Sequence, residues 1–439
     1  MGKIINYFGS DPVLPDEVTK KPGEVEEPFD NRGDEQMSFG AEFDAARSNA
    51  EALPTEYTLQ NVPRGAWVEI DLGAIAFNTK QARKAIGPRR QLMAIVKADA
   101  YGHGAERVAR AALDAGADRL GVATVEEAVK LRLAGFTVPI LILAQPPMRT
   151  IPLLLAHDIT PAVCTVDFAL AYGEAADRQG KCAPFHLAVN SGMNRIGVLY
   201  SEVVDFIREI SFHRGLKYEG TFTHFATADC ADDWDFRIQV QRFEEALASL
   251  RAAHIDPGIV HAANSASIFR YPEVHYDMVR LGICLYGLSS SPETADLVEL
   301  HPAMSVKAQI SFIKEPPLGD GVSYGLNYRV GKPVQIATVP IGYADGVRRE
   351  LTSKGFKVLW NGRQCRQVGN ICMDQMMIEI PLGHSIYGNS GGAEEGDEVV
   401  IIGRQGDYEF TVDAMAHALG TINHEITCLF ALRLPRIYV

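Results

Sequence analysis

Residues 92–134 read LMAIVKADAYGHGAERVARAALDAGADRLGVATVEEAVKLRLA, in which two short apolar runs alternate with two amphipathic stretches. The runs 92–97 (LMAIVK) and 120–123 (LGVA) are too short for buried helices and suit strands, whereas 104–116 and 124–134 place apolar residues at i, i+3, i+4 and i+7. The same alternation continues outward. Strand-like runs recur at 139–144, 159–163, 184–190, 217–224, 258–263 and 278–286, with helical patterns at 201–210 and 233–253 among the segments between them. Eight strand–helix alternations over about 220 residues predict a closed (β/α)8 TIM-type barrel, assigned to residues 63–290. An open doubly wound sheet is the alternative, but no G-x-G-x-x-G follows an early strand.

After a polar linker at 289–299 the pattern changes to strand-like runs at 304–313, 334–341, 356–360, 376–380 and 398–403, with one helical stretch at 411–419. Residues 291–439 are therefore expected to form a mainly β C-terminal domain, with 384–396 an exposed loop. Residues 1–62 differ from both. The first 60 carry 13 acidic against 5 basic residues and five prolines, without sustained period, and predict an acidic extension that is mobile or wraps the β domain.

Composition excludes several function classes. With 439 residues the chain is too long for a small binding module, and 42 basic against 55 acidic residues, a net charge of −13, disfavour nucleic-acid binding. No apolar run has signal-peptide or membrane-spanning length, so no membrane partner is expected. The seven cysteines, Cys164, Cys182, Cys230, Cys284, Cys365, Cys372 and Cys428, form no C-x-x-C pair and suit a reducing, cytoplasmic location.

The most specific chemical signal is Val96-Lys97-Ala98-Asp99-Ala100-Tyr101-Gly102-His103-Gly104. It ends the first predicted barrel strand, so Lys97 is expected to point into the barrel mouth. There a lysine loses charge easily, and its neutral amine can form a Schiff base with an aldehyde cofactor.

Residues 67–78 (WVEIDLGAIAFN) and 95–104 (IVKADAYGHG) together resemble the opening of bacterial alanine racemases, barrel-type enzymes dependent on pyridoxal 5'-phosphate. Matching segments follow in family order at 191–198, 223–229, 261–266, 278–288, 322–328, 339–349 and 370–375, so the resemblance runs from about residue 65 to the C-terminus.

The resemblance implies that Lys97 is the Schiff-base lysine and that Tyr101 contacts the cofactor phosphate. Asn264, Ser265, Gly282 and Ile283 complete the cofactor cup, Arg280 faces the pyridine nitrogen, and His224 lies beside the ring. Racemisation needs a second base on the opposite face of the substrate, and the resemblance assigns it to Tyr324, supplied by the other subunit of a head-to-tail homodimer. Tyr343, Cys372, Met373 and Asp374 would line the same wall, with Tyr343 also serving the cofactor and Met373 near the substrate carboxylate. Arg195 would support Tyr324 and hold that carboxylate. A phenol with an ordinary pKa near 10 is a poor base, so its site must favour the phenolate, for which a cationic His224 and nearby arginines are the expected groups.

Four positions depart from the family pattern. Ala188 stands where many members have a lysine, often carbamylated, and Asn190 where they have aspartate, so Arg195 must be balanced by a bound anion such as chloride or by another side chain. Leu432 and His424 replace common tyrosines. The implied activity is interconversion of L- and D-alanine, for peptidoglycan precursors in a bacterium. Serine or broader amino-acid racemisation is the first alternative; amino-acid decarboxylation and a non-enzymatic role in carrying the cofactor are the others. A metal is not expected, since Asp229, Asp232, Asp233 and Asp235 near His224 suit a helix entry better than a ligand set.

Overall fold

Eight parallel strands close on themselves. They are β2 (Gln91–Ile95), β3 (Arg119–Val122), β4 (Ile140–Ile142), β5 (Thr160–Val163), β6 (Ala183–Asn190), β8 (Leu216–Phe222), β9 (Ile259–His261) and β10 (Met278–Leu281); β1 (Ala66–Ile70) precedes them, and β7 (Val198–Leu199) pairs on β6 outside the ring. Each barrel strand pairs with the next, β10 pairs with β2 through Met278 opposite Gln91, and β5 pairs with β6 through Ala162 opposite His186, which leaves no free edge. This computed structural model describes residues 57–58, 60–382, 392–430 and 433–439. The expectations for the acidic extension up to residue 56, for most of the 384–396 loop and for Leu432 lie outside the described residues.

The helices between the strands form where the apolar periodicity places them. Ala105–Asp114, Val125–Leu133, Val203–Ile210 and Trp234–Ala252 each bury one face against the barrel wall. Thr124 starts the second with a reciprocal cap, accepting from Glu127 N while the Glu127 carboxylate accepts from Thr124 N. The last barrel strand is shorter than the predicted run 278–286. Gly282 turns the chain after Leu281, and Ile283–Tyr286 form a 3-10 turn. The backbone N–H groups of Gly282 and Cys284 consequently point back toward the barrel mouth instead of into a sheet.

The second sheet is mainly antiparallel and takes in the predicted C-terminal runs as Met304–Gln309, Phe312–Lys314, Val334–Val339, Lys357–Trp360, Met376–Pro381 and Glu398–Gln405. It also takes in β1, which the sequence reading grouped with the barrel. Ala66–Ile70 lies antiparallel to Met304–Gln309 and parallel to Arg436–Tyr438. Ala66, Trp67, Val68 and Ile70 are all buried in this sheet, while the partly exposed Glu69 pairs with Lys307 across the strand at 2.9 Å. From Ala66 onward the chain thus passes from the β sheet through the barrel and back to that sheet.

Candidate active site

A cavity of about 430 Å³ opens at the C-terminal ends of the barrel strands. It brings together Lys97, Tyr101, Arg195, His224, Asn264, Ser265, Arg280, Gly282 and Ile283 from segments spread over nearly 190 residues of sequence. Its lining holds one lysine and two arginines, Lys97, Arg195 and Arg280, against one carboxylate, Asp229. Such a cavity favours anions.

Lys97 follows β2 at the start of an unusual turn. Ala98, Asp99, Ala100 and Tyr101 all have φ between 51° and 54°, the left-handed region, which costs roughly 1–2 kcal/mol per residue. Local bonds hold the turn against that cost. Glu127 accepts from Ala98 N at 2.6 Å and from Ala123 N at 2.8 Å, and Asp99 accepts from Ala105 N at 2.8 Å. His103, fully buried, places Nδ1 3.0 Å from the carbonyls of Ala100 and Tyr101. The Lys97 ammonium lies 5.9 Å from the centre of the Tyr101 ring. Burial first, and then the Arg195 guanidinium, lower the Lys97 pKa below that of an ordinary lysine, so the neutral amine is more accessible.

A second cluster is built from neutral donors. Ser265 Oγ accepts from Gly282 N at 2.9 Å and from Cys284 N at 3.3 Å, leaving its own O–H free to donate. Burial pushes the Tyr101 phenol up to about 12, so it too remains a donor. A Cβ on Gly282 would sit 3.5 Å from both hydroxyl oxygens, into which space the absence of a side chain leaves two O–H groups converging. This donor set fits a phosphate. Asn264 lines the same cavity, but its carboxamide caps the helix Ser265–Arg270 by accepting from Ser267 N at 3.2 Å, so it positions Ser265.

Arg280 is buried with no carboxylate partner among the described residues. It donates to Thr223 O at 2.9 Å, Ala262 O at 2.8 Å, His261 Nδ1 at 2.9 Å and His224 Nδ1 at 3.2 Å. Burial, then Arg195, lower its pKa to about 9, which keeps it charged at neutral pH. The same environment corrects one expectation. Burial, Arg280 and Arg195 hold the His224 pKa down at about 3, so His224 is neutral and accepts a hydrogen bond from Arg280 through Nδ1. It cannot be the cation that favours a phenolate. His424 enters the cavity lining, its ring centre 5.9 Å from that of Tyr101, while Ala188 is a buried apolar patch of the wall.

Tyr324, Cys372, Met373 and Asp374 do not join this cavity. They line a separate depression on the β domain, with Tyr343 alongside, its N–H donating to Cys372 O at 3.0 Å. Tyr324 is 73% exposed and Met373 52%. The tyrosine is held out by a constrained turn: Ser323 has φ 66°, its hydroxyl donates to Asn370 O at 2.6 Å, and Asn370 Nδ2 donates to Tyr324 O at 2.6 Å. Residues to which the sequence reading gave no bracing role hold the neighbouring loop. Buried Asp345 accepts from Arg64 in a bidentate pair at 2.6 and 2.9 Å and from Gly342 N at 2.8 Å, while Arg433 bridges Asp345 at 3.0 Å and Asp374 at 2.6 Å. No local spacing links 64, 345 and 433, so no sequence signal could have found them. Among the described residues no group of three His, Cys, Asp or Glu could hold a metal ion, and no helix is long and apolar enough to cross a membrane.

The family model of the alanine racemase N-terminal domain matches residues 70–290, and that of the C-terminal domain matches residues 303–438. The chain belongs to the alanine racemase family. An alanine racemase from Symbiobacterium thermophilum is 43% identical over 375 residues, covering 85% of this chain and 97% of that protein. The crystal structure of alanine racemase from Bacillus anthracis with bound L-Ala-P superposes with a TM-score of 0.79 at 39% identity, covering 86% of this chain and 95% of that one. A histidine racemase from Leuconostoc mesenteroides also superposes with a TM-score of 0.79, at 31% identity and with 86% and 98% covered. Family membership thus spans both the barrel and the β domain.

Proposed function

We propose that this protein is a pyridoxal phosphate-dependent racemase that interconverts L- and D-alanine in the cytoplasm, working as a homodimer with shared active sites. The observation that carries the proposal is a single cavity in which a lysine of lowered pKa, a cradle of neutral donors and a buried arginine without a carboxylate partner face one another. Tyr101, Ser265 and the Gly282 backbone would hold the phosphate, and Arg280 would face the pyridine nitrogen with a charge that disfavours protonating it. Pyridoxal phosphate, when bound, supplies an aldehyde for amine capture and a conjugated ring that draws electrons from the Cα–H bond of the substrate.

The chain's own residues do the rest. Lys97 Nζ moves the α-proton on one face, and Tyr324 of the partner subunit serves the opposite face through its phenol oxygen. The exposed, braced Tyr324 turn and the bare Met373 support a face that is completed by a second copy. With His224 neutral, Arg195 is the cation left to favour the phenolate and to hold the substrate carboxylate. No carboxylate among the described residues pairs with Arg195, and Ala188 cannot supply one, so a bound anion such as chloride is the balance proposed here. The unpaired state of all seven cysteines is consistent with the cytoplasmic reading.

A broader substrate range is the second reading. It rests on His424 in the cavity wall and on the histidine racemase among the structural neighbours. Racemisation of a panel of L-amino acids, followed by chiral chromatography with and without added pyridoxal phosphate, tests both. Alanine turning over fastest, and only with cofactor, is the expected result; serine or histidine outrunning alanine would replace the substrate, and no racemisation of any amino acid would overturn the function.

A further inference from the structure

Beneath the cavity floor a line of polar side chains crosses the barrel interior. Arg280 Nη1 is 2.9 Å from His261 Nδ1, and His261 Nε2 is 2.8 Å from His186 Nδ1. His186 Nε2 has no hydrogen-bond partner, and the group nearest in charge is Glu219 Oε2 at 4.0 Å. Glu219 is in turn paired with Arg119 at 3.1 Å, and Arg119 donates to Gln91 at 2.6 Å. Both histidines are fully buried, and a Cβ on Gly220 would lie 2.7 Å from His186 Nδ1, so the strand gives up a side chain where the ring sits. Glu219 also lines a second cavity, of about 230 Å³, together with Lys217, Tyr172 and Cys182 from the other end of the barrel.

The direction of this chain follows from one fact about guanidinium groups: they donate and never accept. Arg280 must therefore donate to His261 Nδ1, which leaves the His261 proton on Nε2. That N–H must donate to His186 Nδ1, which leaves the His186 proton on Nε2, toward the Glu219 carboxylate. A proton on Nδ1 of either ring instead would set N–H against N–H at less than 3 Å. The Glu219 carboxylate, shared with Arg119, is the acceptor nearest that Nε2–H, at 4.0 Å, on the side where the derived tautomer places the proton.

We propose that His186 and Glu219 are positioning residues that fix the His261 tautomer and thereby hold the Arg280 guanidinium in the orientation it presents to the cavity. The inference rests on the proposed function only in that Arg280 would face the bound cofactor; the tautomers themselves are a property of the free protein. Nitrogen-15 spectra of the histidine-labelled full-length apoprotein read them directly. Both His186 and His261 are expected to carry their protons on Nε2, and a proton on Nδ1 of either ring in the unaltered protein would overturn the proposal without any variant having to fold.

Two variants extend the test. Glu219→Gln keeps an acceptor oxygen and is expected to retain the tautomers and at least half of kcat. Glu219→Leu is expected to give mixed tautomers at His186 and about a tenfold loss of kcat, with KM for the amino acid within about twofold. Equal loss of kcat in both variants with tautomers unchanged, or full kcat in Glu219→Leu, would overturn the positioning role. Correct tautomers in a protein that racemises nothing would instead remove the functional reading and leave the chain of tautomers standing.

Discussion

The buried histidines make the fold sensitive to mild acid, by an amount that can be worked from the structure. His103, His186 and His261 have no exposed surface. Burial depresses the pKa to about 4 for His103 and about 3 for His186, and holds His261 well below its ordinary value of 6.5. In the unfolded chain these imidazoles titrate near 6.5, so below that pH the unfolded state binds more protons and stability falls with falling pH. The loss begins as pH drops through 6.5 and ends only near the folded values of about 4 and about 3. Between pH 7 and pH 5 His103 and His186 each cost about 2 kcal/mol, about 4 kcal/mol together, and His261 adds a loss of the same sign, against the 5–15 kcal/mol that domains usually have. His224 adds to it. The carboxylates with lowered pKa, Asp177, Asp233 and Glu379, lie below this window and do not mask the effect. Urea unfolding of the full-length apoprotein at pH 7, 6 and 5, followed by circular dichroism, measures it. A loss smaller than about 2 kcal/mol over those two units would refute the assignment of three neutral buried imidazoles.

Ser265→Ala removes the acceptor for two backbone N–H groups and one O–H donor of the cradle; pyridoxal phosphate affinity, measured by absorbance titration of the apoprotein, is expected to fall about 10- to 100-fold. Asp345→Asn weakens the bidentate Arg64 pair and the Arg433 bridge, both partly solvated, and is expected to cost about 1–3 kcal/mol in chemical unfolding while loosening the Met373–Asp374 loop. An unchanged unfolding midpoint would show that the cluster braces nothing.

The barrel was readable because its strands are short, apolar and β-branched, and because the helices between them repeat at 3.6 residues. Errors fell where a local feature carries a second duty. The last barrel strand stops at Leu281 because Gly282 diverts the backbone toward Ser265, which an apolar run through Tyr286 conceals. Arg363–Val368 was missed because Arg363, Gln364 and Arg366 face solvent and only Cys365, Gln367 and Val368 are buried, giving little apolar signal. Ala66–Ile70 is a short, mostly buried run, and its partners Met304–Gln309 and Arg436–Tyr438 lie over 200 residues away, so no local pattern assigns it to their sheet. Within the site, the Lys97 and Ser265 segments stood out as motifs. The charge state of His224 did not, because it depends on burial and on Arg280, 56 residues distant. The chain from Arg280 to Glu219 was invisible for the same reason.

The central claim is that each active site draws Lys97 from one chain and Tyr324 from the other. Mixing Lys97→Ala with Tyr324→Phe, each inactive alone, and allowing subunits to exchange tests it most directly. Random pairing in equal amounts makes half the dimers mixed, and each mixed dimer carries one site with both groups intact. The account predicts recovery of about a quarter of the unaltered racemase activity. A mixture that stays as inactive as its components would contradict it.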